Sequence, residues 1–117
     1  MTPWRLEDGE VLAAAHPDTF HIAPLETRAG LQPGEYAKVM IVFRSAGRDT
    51  TERMWTVVFR NHGGSYAGRL VNAPAAPPDD PRLYYLCELS FKACHVIDWE
   101  YADERSLAFA ADPSVDL

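Results

Sequence analysis

Three short stretches hold the side chains with most chemistry to offer: Glu52-Arg53-Met54-Trp55, Asn72-Ala73-Pro74 and Asp98-Trp99. On an extended strand Arg53 and Trp55 share a face, because side chains alternate with a period of two. A guanidinium beside an indole would hold a flat anionic or aromatic ligand, and Tyr66 would extend that stacking face. The plainer reading puts Trp55 in the core and pairs Arg53 with an acid at the strand's edge, since large aromatics dominate small cores. Asn72 ends a strand, where its amide bonds nearby backbone and caps a turn; ligand binding is its second reading. Asp98 and Trp99 point to opposite faces, so the indole is buried while the carboxylate is displayed. Asp98 then pairs with Arg53 or Arg69. A role as general base would need a second titratable group within reach, and no spacing supplies one.

His16, His21, His62 and His95 show no metal-ligand spacing. Convergence of His21, His95 and Cys94 would give a Cys/His nucleophile or a zinc site. A cysteine in a small core is more often a small hydrophobe, and that reading is preferred. The chain has no Gly-rich phosphate loop, no nucleophile elbow and no His-Glu helix motif. The expectation is a domain that is not an enzyme, with no catalytic residue, metal or cofactor.

These residues need a scaffold, and the clearest part of it is a hairpin. Met54 to Phe59 alternates β-branched and aromatic residues, Asn61-His62-Gly63-Gly64 supplies the positive φ of a tight turn, and Tyr66 to Val71 returns. Gly68 marks a bulge or a close backbone approach. Leu31-Gln-Pro-Gly34 predicts a type II turn into a central strand over Glu35 to Phe43, with Val39, Ile41 and Phe43 on one face and Tyr36, Lys38, Met40 and Val42 on the other. Arg44 to Thr51 reads as a connection. The prolines at 74, 77, 78 and 81 make Asn72 to Arg82 a stiff exposed loop. Tyr84 to Phe91 and His95 to Tyr101 read as two further strands. Glu10 to Ala15 reads as a short helix capped by Asp8 and ended by His16-Pro17. Asp18 to Pro24 reads as a strand or a tethered loop, and the tail frays after Pro113. The expected fold is α+β, mainly β: a small twisted antiparallel sheet or partly closed SH3-like barrel with a short N-terminal helix. Residues 1–30 form an irregular appendage, 31–101 the β core and 102–117 a C-terminal tail, within one domain.

The chain's 117 residues suffice for one core. Apolar content of 47% and charged content of 24% are those of an ordinary globular domain. A net charge of −6 opposes nucleic-acid binding, whose generic part comes from released counterions, and favours a basic partner. No apolar run is long enough to span a membrane. The acids near the N-terminus do not fit a signal peptide, so the expected location is cytoplasmic, with Cys87 and Cys94 as reduced thiols.

Taken in order, Leu31-x-Pro-Gly-Glu35-x-x-Lys38-Val39, Glu52-Arg53-x-Trp55, Gly68-x-Leu70-x-Asn72-x-Pro74 and His95-x-Ile97-Asp98-Trp99 resemble a bacterial family of small domains of unknown function, the YegJ-like kind. Where that pattern would place a Gly-Asp turn before its penultimate strand, this chain has Leu83-Tyr84-Tyr85-Leu86. The resemblance implies a small β-rich domain without assigned chemistry, and similar domains serve as immunity proteins beside bacterial toxins. The leading functional expectation is therefore a non-catalytic domain that binds a protein partner, immunity-protein-like, with the Asp79-Asp80 loop turned to a basic surface. The alternative is a small-molecule or nucleic-acid binding β domain with an Arg/aromatic face. An exposed edge strand would also permit a homodimer. The candidate site residues are Glu52, Arg53, Trp55, Tyr66, Asn72 and Asp98.

Overall fold

The computed structural model describes residues 4–112 and 114. These form strands β1 (Trp4–Leu6), β2 (Tyr36–Ser45), β3 (Arg48–His62), β4 (Ser65–Leu70), β5 (Glu88–Lys92) and β6 (Asp98–Glu100), with helices α1 (Gly9–Ala15), α2 (Leu25–Ala29) and α3 (Glu104–Ala111). All six strands are antiparallel and make one curled half-barrel sheet in the order β1-β2-β3-β4-β5. The far edge of β2 is shared: β1 pairs with Ile41 to Phe43, and β6 with Tyr36 to Lys38. The mainly β fold expected from the alternating runs is the fold observed.

The concave face is the core. Val39, Ile41 and Phe43 of β2, Met54 and Val58 of β3, Tyr66 and Leu70 of β4, and Leu89 and Phe91 of β5 form a continuous buried cluster. The period-2 pattern determines this, because each strand turns its alternate apolar residues inward. Gly68 is a close approach: a Cβ there would lie 2.9 Å from the Val57 carbonyl and 3.0 Å from the Phe91 ring. The bulge itself falls opposite, between Val58 and Arg60 of β3.

Both turns with a mechanism form as expected. Glu35 N–H donates to the Gln32 carbonyl at 3.0 Å, with Gly34 at φ +95°. Gly63 and Gly64 take φ of 61° and 89° between β3 and β4. A third turn replaces the connection expected over Arg44 to Thr51. There β2 and β3 continue to Ser45 and Arg48, joined by Ala46 and Gly47 at φ 50° and 75°. Positive φ at both central residues is the type I′ geometry, whose twist matches the flanking strands. The Asp79 carboxylate locks this turn, accepting the Ala46 N–H at 2.8 Å and the Gly47 N–H at 2.9 Å.

Several sequence expectations need correction. Only the second half of the Tyr84 to Phe91 run is a strand. The first half turns, Cys87 N–H donating to the Tyr84 carbonyl, with Leu86 at φ 75° where glycine is usual. Of the His95 to Tyr101 run only Asp98–Glu100 is a strand, and His95 ends a 3-10 turn over Ala93–His95. Asp18 to Pro24 is a tethered loop, and α2 follows it unannounced. Residues 1–30 include β1 as well as α1, which starts at Gly9 with Asp8 accepting the Glu10 and Val11 N–H groups. Buried Arg28 of α2 ties this region together, donating to the Ala23 and Ala93 carbonyls and to the Glu10 carboxylate. The stretch read as tail contains α3. Asp103 and Ser106 cap it reciprocally, and fully buried Phe109 anchors it, a burial worth about 1.5–3 kcal/mol. Of the stretch expected to fray after Pro113 only Ser114 is described, its N–H and hydroxyl both donating to the Asp112 carboxylate.

Candidate functional site

The solvent-facing side of the sheet carries the candidate site, and strand alternation decides which residues reach it. On β3, Met54, Thr56 and Val58 are buried at 1%, 0% and 0% exposure; on the opposite face Arg53 is exposed and Trp55 half-buried, while Val57 further along is buried. The ladder then sets their neighbours. Lys38 lies across from both Trp55 and Asp98, while Arg53 lies across from Met40. Asp98, Lys38 and Trp55 therefore form one transverse row over β6, β2 and β3.

Trp55 is fixed by its backbone and left open at its ring. Its N–H donates to Asn72 Oδ1 at 2.6 Å, and its carbonyl accepts the Val71 N–H at 2.9 Å. Asn72 thus prolongs the β3–β4 ladder with a side chain after β4 has ended, reaching the neighbouring strand rather than the nearby turn backbone expected of it. The indole is partly exposed. The Tyr36 ring meets it edge-on at 6.4 Å and 86°, and Lys38 Nζ stands 5.0 Å from its centre. Tyr36, Trp55, Val71, Asn72 and Glu100 line an open depression of about 420 Å³. The reading of Trp55 as a core residue is corrected, because its neighbours Met54 and Thr56 take the inward positions.

A second depression, of about 340 Å³, adjoins it along Lys38. Phe20 and His21 of the tethered loop wall it, and Arg53 and Asp98 complete it. The Arg53 guanidinium lies 5.6 Å from the Phe20 ring centre. Among the described residues neither Lys38 nor Arg53 makes an ion pair. The pairing of Asp98 with Arg53 or Arg69 is therefore corrected. Two strands separate Asp98 from Arg69, and one Asp98 oxygen accepts the Trp99 N–H at 2.9 Å instead.

Of the six candidates, Arg53, Trp55, Asn72 and Asp98 gather on this face. Glu52 and Tyr66 do not. Glu52 alternates to the other side, where its two oxygens accept the Ala75 and Ala76 N–H groups at 2.8 and 2.9 Å and clamp the proline-rich loop to β3. Tyr66 is buried, stacked on Phe91 at 5.2 Å, with its hydroxyl donating to the Arg28 carbonyl and accepting the Leu31 N–H. A stacking face of Arg53, Trp55 and Tyr66 is thus not assembled. Lys38, Tyr36 and Phe20 take part instead. The outward alternation of Tyr36 and Lys38 was the available signal; Phe20 arrives from a loop and had none.

The cysteine and histidine groups lie elsewhere. Burial pushes the Cys94 thiol up, and Asp8 and Glu10 add to it, opposite to the lowering an activated nucleophile needs. Cys87 is buried in the core and raised likewise. His95 lines a depression with His62 and Tyr66, whereas His21 borders the Arg53 depression, so the two are not brought together. Among the described residues no three His, Cys, Asp or Glu side chains gather in a metal-binding arrangement, and no helix is long and apolar enough to cross a membrane. The Asp79 and Asp80 carboxylates are engaged internally, the second with Arg82 at 2.8 Å.

The chain matches no family model, no curated protein and no solved structure. The likeness to YegJ-like domains accordingly rests on the ordered motifs alone.

Proposed function

We propose that this chain is a non-catalytic, cytoplasmic interaction domain that binds a protein partner through the sheet face centred on Trp55, in the manner of an immunity protein that neutralises a toxin. The observation that carries the reading is the treatment of Trp55. Its backbone is held on both sides while its ring is kept at the surface between Tyr36 and Lys38. A rigidly mounted Trp with Tyr and Arg beside it has the composition of interface hot spots. The net charge of −6 would steer a basic partner, although the charge of Asp80 is offset by its ion pair with Arg82.

Affinity capture tests this with wild type, Trp55→Ala and Val11→Ser, the last altering an exposed apolar residue on α1. A partner held by wild type and Val11→Ser, and at least tenfold weaker with Trp55→Ala, is the expected result. Equal capture by all three would overturn the reading.

A second reading has a specific observation behind it. Lys38 and Arg53 each stand near an aromatic ring and, among the described residues, make no ion pair, which suits a small anionic ligand. Nucleic acid is the weaker form of this alternative, since burial of Tyr66 removes a stacking ring and the overall charge repels a polyanion.

A further inference from the structure

The two depressions differ in what they could recognise. The one beside Trp55 offers apolar surface. Its neighbour is lined by two cations, Lys38 and Arg53, and one carboxylate, Asp98, and among the described residues neither cation is in an ion pair, an arrangement that has a chemical complement. We propose that the depression between Lys38 and Arg53 is a carboxylate-binding site, filled by a single monoanionic carboxylate.

The register places both cations within reach of one ligand. Lys38 lies across from Trp55, and Arg53 is two residues from Trp55 on the same face, so Lys38 and Arg53 are diagonal neighbours across the β2–β3 ladder. Diagonal pairs have Cα atoms roughly 7–8 Å apart, a span that long side chains close easily on a shared group. Each cation is already supported from beneath, Lys38 by the Trp55 ring and Arg53 by the Phe20 ring. Among the described residues the Arg53 guanidinium makes no ion pair, which leaves its N–H groups for the two oxygens of a carboxylate.

The charge count selects the ligand class. Lys38 and Arg53 contribute two positive charges and Asp98, which also lines the depression, subtracts one, a formal charge of about +1 before any histidine is counted. One Asp98 oxygen accepts the Trp99 N–H, and among the described residues neither Lys38 nor Arg53 is in an ion pair. A monoanion balances such a site, while a phosphate dianion would meet both Asp98 and the net charge of −6. The adjoining Trp55 ring would cover an apolar stem attached to the carboxylate.

The carboxylate has two sources, a free small acid or an acidic side chain of the protein partner, and in the second case this inference rests on the reading above. Nuclear magnetic resonance titrations of the full chain separate them. The probes are sodium acetate and N-acetylglutamate amide, at constant ionic strength, with sodium chloride and phosphate as controls. The Arg53 Nε–H and Trp55 indole N–H signals report occupancy. The expected result is a saturable shift with both carboxylates, no saturable shift with chloride, and weaker binding of phosphate. Arg53→Gln and Lys38→Gln should each weaken carboxylate binding at least tenfold, while Arg53→Lys restores part of it. Both positions face solvent, and the dispersion of the remaining signals verifies folding of each variant.

Carboxylate shifts that match chloride, or that survive Arg53→Gln unchanged, would overturn the site even if partner capture still depends on Trp55. Saturable acetate binding without any Trp55-dependent partner would leave the site standing and assign it to a free acid. A captured partner lost with Arg53→Gln and retained with Arg53→Lys would assign it to a protein carboxylate.

Discussion

The Lys38 ammonium stands 5.0 Å from the centre of the Trp55 ring, the two residues facing each other across the β2–β3 ladder. Such a contact contributes roughly 0.5–1 kcal/mol at an exposed position, which is enough to orient an indole and too little to bury it. The pair therefore defines a surface that is ordered before anything binds, and an ordered surface loses less entropy on association.

Removal of the Asn72 amide should be felt at Trp55. Asn72→Ala leaves the Trp55 N–H without its acceptor, at a cost of about 1–3 kcal/mol for a partly buried donor. Chemical denaturation should show that loss with an unchanged slope. Amide exchange at Trp55 should quicken in the same variant.

The Glu52 clamp makes a separate prediction. Glu52→Gln retains one acceptor oxygen, whereas Glu52→Ala retains none, so protection of the Ala75 and Ala76 amides should fall partly in the first and fully in the second. Hydrogen exchange reads this directly. Unchanged protection in Glu52→Ala would show that the prolines alone hold the loop.

Tyr66 and Trp55 should separate stability from binding. Tyr66→Phe deprives the buried Arg28 carbonyl and Leu31 N–H of their shared hydroxyl and should cost about 1–3 kcal/mol, with partner capture intact. Trp55→Ala should do the reverse, weakening capture with the smaller loss of stability.

Much of this organisation was legible because it depends on local rules. The alternation of Val39, Ile41 and Phe43, the turn at Pro33-Gly34 and the paired glycines at 63 and 64 each carry their own geometry, and each forms as those rules require. What escaped depends on partners distant in sequence. Glu52 looks like a site acid until the loop at Ala75 returns to it, and the partners that hold buried Arg28, Glu10 and Ala93, lie far from it in sequence. Helix α3 escaped because its apolar stripe is thin: Phe109 is buried while Leu107 is exposed. Trp55 was misread for a related reason. Strand alternation showed that Arg53 and Trp55 share a face, but only the burial of Met54 and Thr56 on the other face shows which one is solvated.

The Ala46-Gly47 turn is open to improvement. Ala46 is exposed and held at φ 50°, a left-handed conformation that costs a residue with a Cβ about 1–2 kcal/mol, and Asn tolerates it better. Ala46→Asn should therefore raise stability by about 0.5–1 kcal/mol, seen as a higher denaturation midpoint.

His95 gives the fold a pH dependence of known sign. Its Nδ1 accepts the Lys92 N–H at 2.9 Å, and burial, opposed by Asp8 and aided by Lys92, lowers its affinity for a proton below that of the unfolded chain. As pH falls through about 6.5 the unfolded state takes up a proton that the folded state refuses, so stability declines there and is fully present above. His95→Gln should flatten this part of the stability profile between pH 7.5 and about 5.5.

The most direct measurement is acrylamide quenching of tryptophan fluorescence, taken as the difference between wild type and Trp55→Phe, before and after addition of the captured partner. The proposed docking face requires Trp55 to be quenched in the free chain and shielded in the complex. An indole already shielded in the free chain, or one still quenched with the partner bound, would contradict it.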